Sequence, residues 1–174
     1  GEAIIINGGT TTFQMVHYVT GHRLQVLTNS FPISEHLLKQ SRCTVMVPAG
    51  TIFREQSIIL SPFENDGTVH FYAKRMFMGA QGVSPLGIME SDALIIQSEQ
   101  RLMRQAEELV LLVDSTKFQN RSSLVLCPLE RATTIITDDG ISDEARRMVE
   151  DAGTRLLIAG PESAGDREES PLVA

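Results

Sequence analysis

The chain predicts an α/β fold, a mainly parallel sheet with helices on both faces. Two observations lead there. Short apolar runs rich in β-branched residues recur along the sequence and read as strands buried between layers. Helical patterns separate several of these runs, the alternation that builds parallel sheets.

The first strand is predicted at residues 3–6, where Ile4, Ile5 and Ile6 follow one another. Gly8 and Gly9 then allow a sharp turn and a close backbone approach. Thr10, Thr11 and Thr12 lead into a helix over 13–18, whose free N–H groups would aim back at the turn. Further strands are predicted at 25–27, 44–47, 76–78, 109–113, 134–136 and 156–158. Ile33, Leu37 and Leu38 mark one apolar helical stripe, with Ser34 and Glu35 near its start. Ser91 and Asp92 are caps for another helix, on which Ile95, Leu102 and Ala106 recur. Ser142, Asp143 and Glu144 open a third, with Met148, Val149 and Ala152 inward and Gly153 as its stop. Between Arg54 and Tyr72 the pattern is irregular, with a sheet-edge strand expected at 57–60 and a turn at Asn65-Asp66-Gly67. Residues 1–159 are expected to form one domain and 160–174, with their Pro, Gly and charges, a disordered tail.

Composition narrows the function. A net charge of -7 argues against this stretch holding nucleic acid alone, because phosphate backbones demand a basic face. No apolar run approaches the ~20 residues that span a bilayer, and no secretory signal opens the sequence. Cys43 and Cys127 sit among apolar neighbours and read as reduced, buried thiols. A cytoplasmic location is expected. The sequence begins inside a strand pattern without an initiator Met, so a fragment of a longer protein is expected.

In open parallel sheets ligands bind beyond the carboxyl ends of the strands. Here five strand ends carry polar or glycine-rich loops: Gly8 to Thr12; Thr28-Asn29-Ser30; Ala49-Gly50-Thr51, then Arg54; Gly79-Ala80-Gln81-Gly82; and Asp114-Ser115-Thr116-Lys117. That set suits a small polyhydroxylated anion. Backbone N–H and hydroxyl groups would hold a phosphate, Arg54 or Lys117 would supply charge, and Asn29 and Asp114 would meet sugar hydroxyls. No dinucleotide or Walker fingerprint is present, and the four histidines lack metal-ligand spacing, so no cofactor or metal is expected. Asp138-Asp139-Gly140 reads more simply as a turn before the last helix than as a metal or acid–base group.

The order and separation of these loops resemble the C-terminal effector-sensing domain of DeoR-family transcriptional regulators. The residues that carry the likeness are the Gly-Gly-Thr-Thr-Thr turn, Thr28-Asn29-Ser30, Gly50 with Arg54, and Phe77 to Ala80 with Gly82 and Gly87. Asp114 to Phe118 and Ile136-Thr137-Asp138 complete the set. The resemblance implies a fold similar to ribose-5-phosphate isomerase and a phosphorylated sugar as effector. It also implies a homo-oligomeric repressor that grips operator DNA through a helix-turn-helix domain outside this sequence. By the same resemblance Gly9, Thr10, Thr11 and Thr12 would take the phosphate loop's place. Asn29, Arg54, Gly79, Gly82, Asp114 and Lys117 would line the rest. Two positions depart from the family pattern: Lys74 stands where an acidic residue is common, and Ala49-Gly50 replaces a Gly-Gly pair.

A sugar-phosphate isomerase on the same scaffold is the alternative. Aldose–ketose isomerisation needs a general base beside the substrate carbons. The 79–88 loop offers Gln81 and Ser84, with no carboxylate until Glu90, and Asp114 beside Lys117 is better suited to orienting a hydroxyl. A sensing module is therefore preferred over an enzyme. A purely structural oligomerisation domain would leave the polar strand ends unexplained.

Overall fold

The isoleucine run forms the strand on which the molecule is organised. The structure, a computed structural model, describes residues 1–160. Its chain runs β1 (Ala3–Ile6), α1 (Thr10–Val19), β2 (Gln25–Thr28), α2 (Phe31–Gln40), β3 (Thr44–Met46), β4 (Thr51–Phe53) and β5 (Ile58–Leu60). Then come β6 (Ala73–Met78), β7 (Gly82–Ser84), β8 (Gly87–Glu90), α3 (Ala93–Met103) and β9 (Ala106–Leu112). After a short 3-10 helix, Ser115–Phe118, follow β10 (Leu124–Cys127), β11 (Thr134–Asp138), α4 (Asp143–Asp151) and β12 (Arg155–Ala159).

Seven strands form one sheet in the order β12-β11-β9-β6-β1-β2-β3, and every neighbouring pair is parallel. Strand alternation splits the interior into two cores. Ile4 and Ile6 point to one face, where they meet Val16 of α1 and Ile33 and Leu37 of α2. Ile5 points to the other, packing with Met76, Leu109, Leu111 and Ile135 beneath Leu102 of α3 and Val149 of α4. A strand buried on both faces has no solvent side to mark with polar residues, which is why the run is apolar throughout.

Helix starts follow local chemistry. Ser30 accepts from the Ile33 N–H at 3.3 Å, Asp92 from Leu94 at 2.7 Å, and Ser142 from Ala145 at 3.1 Å, each relieving an unpaired N–H of a first turn. Gly153, with φ of 73°, takes the left-handed conformation that ends α4.

Several details differ from the sequence reading. Residues 58–60 form a strand, but it pairs with β4 in a separate two-stranded hairpin rather than at the edge of the main sheet. The loop expected from Gly79 to Ile88 contains β7 and the start of β8, which with β10 form a three-stranded antiparallel sheet. Ala106 opens β9 instead of ending α3. Leu38, expected on the apolar stripe of α2, is 69% exposed. Beyond Gly160, the expected tail lies outside the described residues. Among the described residues no helix is long and apolar enough to cross a membrane.

The connections out of β1 and β6 leave the sheet in opposite directions. From β1 the chain builds outward through β2 to β3, and from β6 outward through β9 to β12. Where neighbouring strands diverge like this, their carboxyl ends open a crevice.

Candidate functional site

A cavity of about 520 Å³ occupies that crevice. Its first wall is the turn out of β1. The Asn7 N–H donates to Phe77 O at 2.9 Å and keeps β1 in register with β6 to its last residue. The Gly8 N–H then turns toward Asn29, donating to its Oδ1 at 2.9 Å. A Cβ on Gly8 would lie 2.7 Å from Ile58 Cγ2 and 3.3 Å from Ser30 Cβ, so the turn has room only for glycine. Gly9 is extended, a conformation open to any residue, and caps α1 without a side chain. The first helical bond is Phe13 N–H to Gly9 O at 3.0 Å, which leaves the N–H groups of Thr10, Thr11 and Thr12 outside the helical ladder. Thr10 and Thr11 face the cavity, while the Thr12 hydroxyl is buried and donates back to Gly9 O at 3.0 Å.

The second wall is the β4–β5 hairpin, whose turn contributes Glu55, Gln56 and Ser57. It is docked on the loop after β2 by Phe31 N–H to Ser57 O at 2.9 Å and Ile59 N–H to Asn29 O at 2.7 Å. Asn29 thus serves both walls. Gly79, Ala80 and Gln81 after β6 and Lys117 of the 3-10 helix form the opposite side.

Asn7, Glu90 and Glu99 also line the cavity, and each is at most 5% exposed. Asn7 Nδ2 donates to Glu99 Oε1 at 2.7 Å. Asn7 Oδ1 and Glu99 Oε2 have no hydrogen-bond partner among the described residues. Burial pushes the Glu99 carboxyl up to about 9, with the neighbouring Glu90 charge adding to the effect and the Asn7 bond opposing it. Burial likewise pushes Glu90 up to about 7, against the Ser91 N–H bond and the Lys117 ammonium, which favour its charged form. At neutral pH the two carboxyls therefore do not both carry a charge. Such a wall exchanges hydrogen bonds with hydroxyls and holds a proton near neutrality.

The fold brings six of the ten sequence candidates to the cavity: Gly9, Thr10, Thr11, Asn29, Gly79 and Lys117. Four lie outside its lining. Thr12 is turned into the core. Arg54 is exposed at the tip of the β4–β5 hairpin, because β4 intervenes between β3 and the arginine. Gly82 opens β7, and a Cβ there would collide with the Asn120 carbonyl, so its lack of a side chain serves packing. The Asp114 carboxylate caps the 3-10 helix, accepting from the N–H and the hydroxyl of Thr116. Asp138 accepts from Ser115 N–H at 2.7 Å and Gly140 N–H at 2.9 Å, the turn role read for it. Those bonds, the Ser115 contacts foremost, hold its carboxyl below the usual range. Sequence reasoning did not select Asn7, Glu90 or Glu99. Asn7 was legible as the polar residue that ends an isoleucine run, but Glu99 is one carboxylate among the polar residues of an amphipathic helix. Among the described residues no group of three or more His, Cys, Asp or Glu side chains is arranged to hold a metal ion.

Comparison with known proteins follows the same lines. The HTH-type transcriptional regulator UlaR of Shigella dysenteriae serotype 1 (strain Sd197) is 28% identical over 157 residues, covering 90% of this chain and 62% of its own. UlaR of Escherichia coli (strain SMS-3-5 / SECEC) matches at the same 28% and the same coverage. The chain thus spans 62% of the length of the curated relatives it matches. Among solved structures, eIF2B beta from Chaetomium thermophilum superposes with a TM-score of 0.42 at 12% identity, covering 71% of this chain and 36% of that one. That score is too low to carry an argument. The family described as the DeoR C terminal sensor domain matches residues 1–139, and the chain belongs to it.

Proposed function

We propose that the cavity binds a phosphorylated sugar or a related small anion, and that occupancy modulates DNA binding by a helix-turn-helix domain elsewhere in a cytoplasmic, homo-oligomeric repressor. The observation that carries this reading is the junction of β1 and α1. A glycine turn delivers the start of a ten-residue helix, with its unpaired N–H groups and the Thr10 and Thr11 side chains, into the cavity beside Lys117. Helix N-termini favour phosphate through those donors and through the aligned peptide dipoles. Asn29, Gln81 and the Asn7–Glu99 wall supply hydrogen-bonding groups for the rest of such a ligand. A ligand shifts DNA affinity only by binding one conformation or assembly better than another, so the effector would have to prefer one state of the whole protein.

Calorimetric titration with inorganic phosphate and with sugar phosphates tests the reading. Gly9→Val is the variant of choice, since the extended backbone accepts valine while the added carbons crowd the helix start. Phosphate binding by the parent and its loss in a folded Gly9→Val chain are expected. Equal binding by both would remove the phosphate from this turn.

One observation favours a second reading. Glu90, at the cavity and titrating near neutrality, has the character of a general base, which the sequence had not brought to the site. If the chain interconverts an aldose phosphate and its ketose, and Glu90→Gln abolishes turnover, it is an isomerase. The regulator reading is preferred because the relatives named above are transcriptional regulators.

A further inference from the structure

A second cavity, of about 230 Å³, lies between the β4–β5 hairpin and α3. The hairpin lines it with Phe53, Ile59 and Leu60, and α3 with Leu94, Ser98 and Arg101. Leu94, Ser98 and Arg101 are spaced so that they share one face of the helix. The same two elements also wall the first cavity, the hairpin through Ser57 and Ile58 and the helix through Ile95 and Glu99. The two cavities therefore have the hairpin and α3 in common.

The lining of the second cavity is mainly apolar, and its cation is Arg101. Nη1 donates to Phe63 O at 2.8 Å and to Asp66 Oδ2 at 3.4 Å, which anchors the guanidinium. Among the described residues both of its hydrogen bonds leave from Nη1, so the N–H groups on Nε and Nη2 remain to donate. Asp66 stands behind the arginine, with a side chain 4% exposed against 22% for Arg101. Its Oδ1 is taken up by the N–H and the hydroxyl of Thr68. What a ligand meets is thus the guanidinium, which repels a cation and favours a planar carboxylate. A dianion would exceed the charge of one arginine already shared with Asp66. The rest of the ligand must be apolar to fill a space between Phe53, Leu60 and Leu94. A cavity of about 150 Å³ with such a lining takes benzene, so this one has room for a hydrocarbon body of about six carbons and its carboxylate.

We propose that this cleft is a second ligand site, for a small monocarboxylate with an apolar body, and that its occupancy holds the β4–β5 hairpin against α3 and so sets the width of the first cavity. The hairpin is suited to being held. All three residues of β4 are exposed, and its partner strand β5 meets the loop after β2 through the Ile59 N–H to Asn29 O bond of 2.7 Å. A ligand in contact with both hairpin and helix binds the docked arrangement better than any arrangement with the hairpin displaced, the condition for shifting it. The inference is independent of what fills the first cavity.

The test is calorimetry and hydrogen exchange on the chain with hexanoate and benzoate, and with hexanol, benzyl alcohol and hexylamine as uncharged and cationic counterparts. At least one carboxylate should bind roughly tenfold or more tightly than its alcohol, as a charge-assisted bond to Arg101 is worth, and the amine no better than the alcohol. Leu94 is 51% exposed, so Leu94→Glu leaves packing little changed while placing a like charge at the cleft, and it should weaken the carboxylate several-fold. Ser98→Phe fills the cleft and should abolish binding. With the carboxylate at a hundred times its dissociation constant, exchange of the Ile59 N–H should slow roughly hundredfold. The Asn7 N–H, bonded to Phe77 O inside the main sheet, should slow less. No binding by either carboxylate, or alcohols that bind as well, would overturn the site. Undiminished affinity in both variants would place the ligand elsewhere and overturn it equally. If Ser98→Phe does not fold, Leu94→Glu decides alone. Ile59 exchange that slows no more than that of Asn7 would remove the link between the two cavities.

Discussion

Asn7 and Glu99, 92 residues apart in the chain, are joined by a 2.7 Å hydrogen bond from Nδ2 to Oε1 that ties the end of β1 to α3. Among the described residues the bond gives the buried carboxyl its one hydrogen-bond partner, since Oε2 has none there. It also fixes which way the amide faces, and so leaves Asn7 Oδ1 free to accept.

Removing it should therefore be felt in stability before function. Asn7→Leu leaves the Glu99 carboxyl without a partner on either oxygen, and a loss of about 1–3 kcal/mol is expected in urea unfolding. A midpoint equal to the parent's would mean that the carboxyl has found another partner and that the bond contributes nothing net.

The buried acids predict a pH dependence of definite sign. Both Glu90 and Glu99 have folded-state values raised above those of the unfolded chain, so between roughly pH 5 and 9 the folded state holds more protons than the unfolded state. Stability is then greatest at the acid end of that window and falls as pH rises, by at most about 1.4 kcal/mol per pH unit for each such proton. Glu99→Gln should flatten the slope. Unfolding midpoints that rise from pH 6 to pH 8, in parent and variant alike, would contradict the burial argument.

Gly8→Val tests how the walls are spaced. Ile58 Cγ2 stands 2.7 Å from where the new Cβ would lie, so the β4–β5 hairpin must shift or the turn must distort. Overpacking of this kind costs about 1–3 kcal/mol. Hydrogen exchange at Ile59, whose N–H donates to Asn29 O at 2.7 Å, should accelerate selectively if the hairpin is what yields. Protection unchanged at Ile59 would locate the distortion elsewhere.

The two cations of the sequence reading should now behave differently. Lys117 lines the cavity, and Lys117→Ala is expected to weaken inorganic phosphate binding roughly tenfold. Arg54, exposed at the hairpin tip, should be replaceable by Ala with no change in affinity. A matching loss in both variants would bring the hairpin tip into contact with the ligand.

Much of the fold was legible because it depends on local regularities. Consecutive β-branched residues, as at Ile4 to Ile6, specify a strand buried on both faces whatever surrounds it. Asp92 and Ser142 announce helix starts because a cap is satisfied within three residues of itself, whereas the start of α2, expected near Ser34 and Glu35, is capped by Ser30 of the preceding polar loop. The short strands were not legible in the same way. β4 and β7 have three residues each, too few for a period to show, and β5, though expected as a strand, found its partner in β4 rather than in the main sheet.

The site divides along the same line. The sequence by itself determined that glycines and hydroxyls follow β1 and that polar residues follow β2, because a strand that ends at a ligand crevice must turn there and must stop being apolar. It also determined the family, through the order of those loops. Which of the polar residues share a cavity was decided by tertiary structure alone. The extra strand β4 carried Arg54 out to a hairpin tip, and the cap of a 3-10 helix claimed Asp114. Glu90 and Glu99 became a buried pair only because β8 and α3 bring them to the same wall as Asn7. A carboxylate's burial, and with it its proton affinity, is set by everything packed around it, most of which lies far away in sequence.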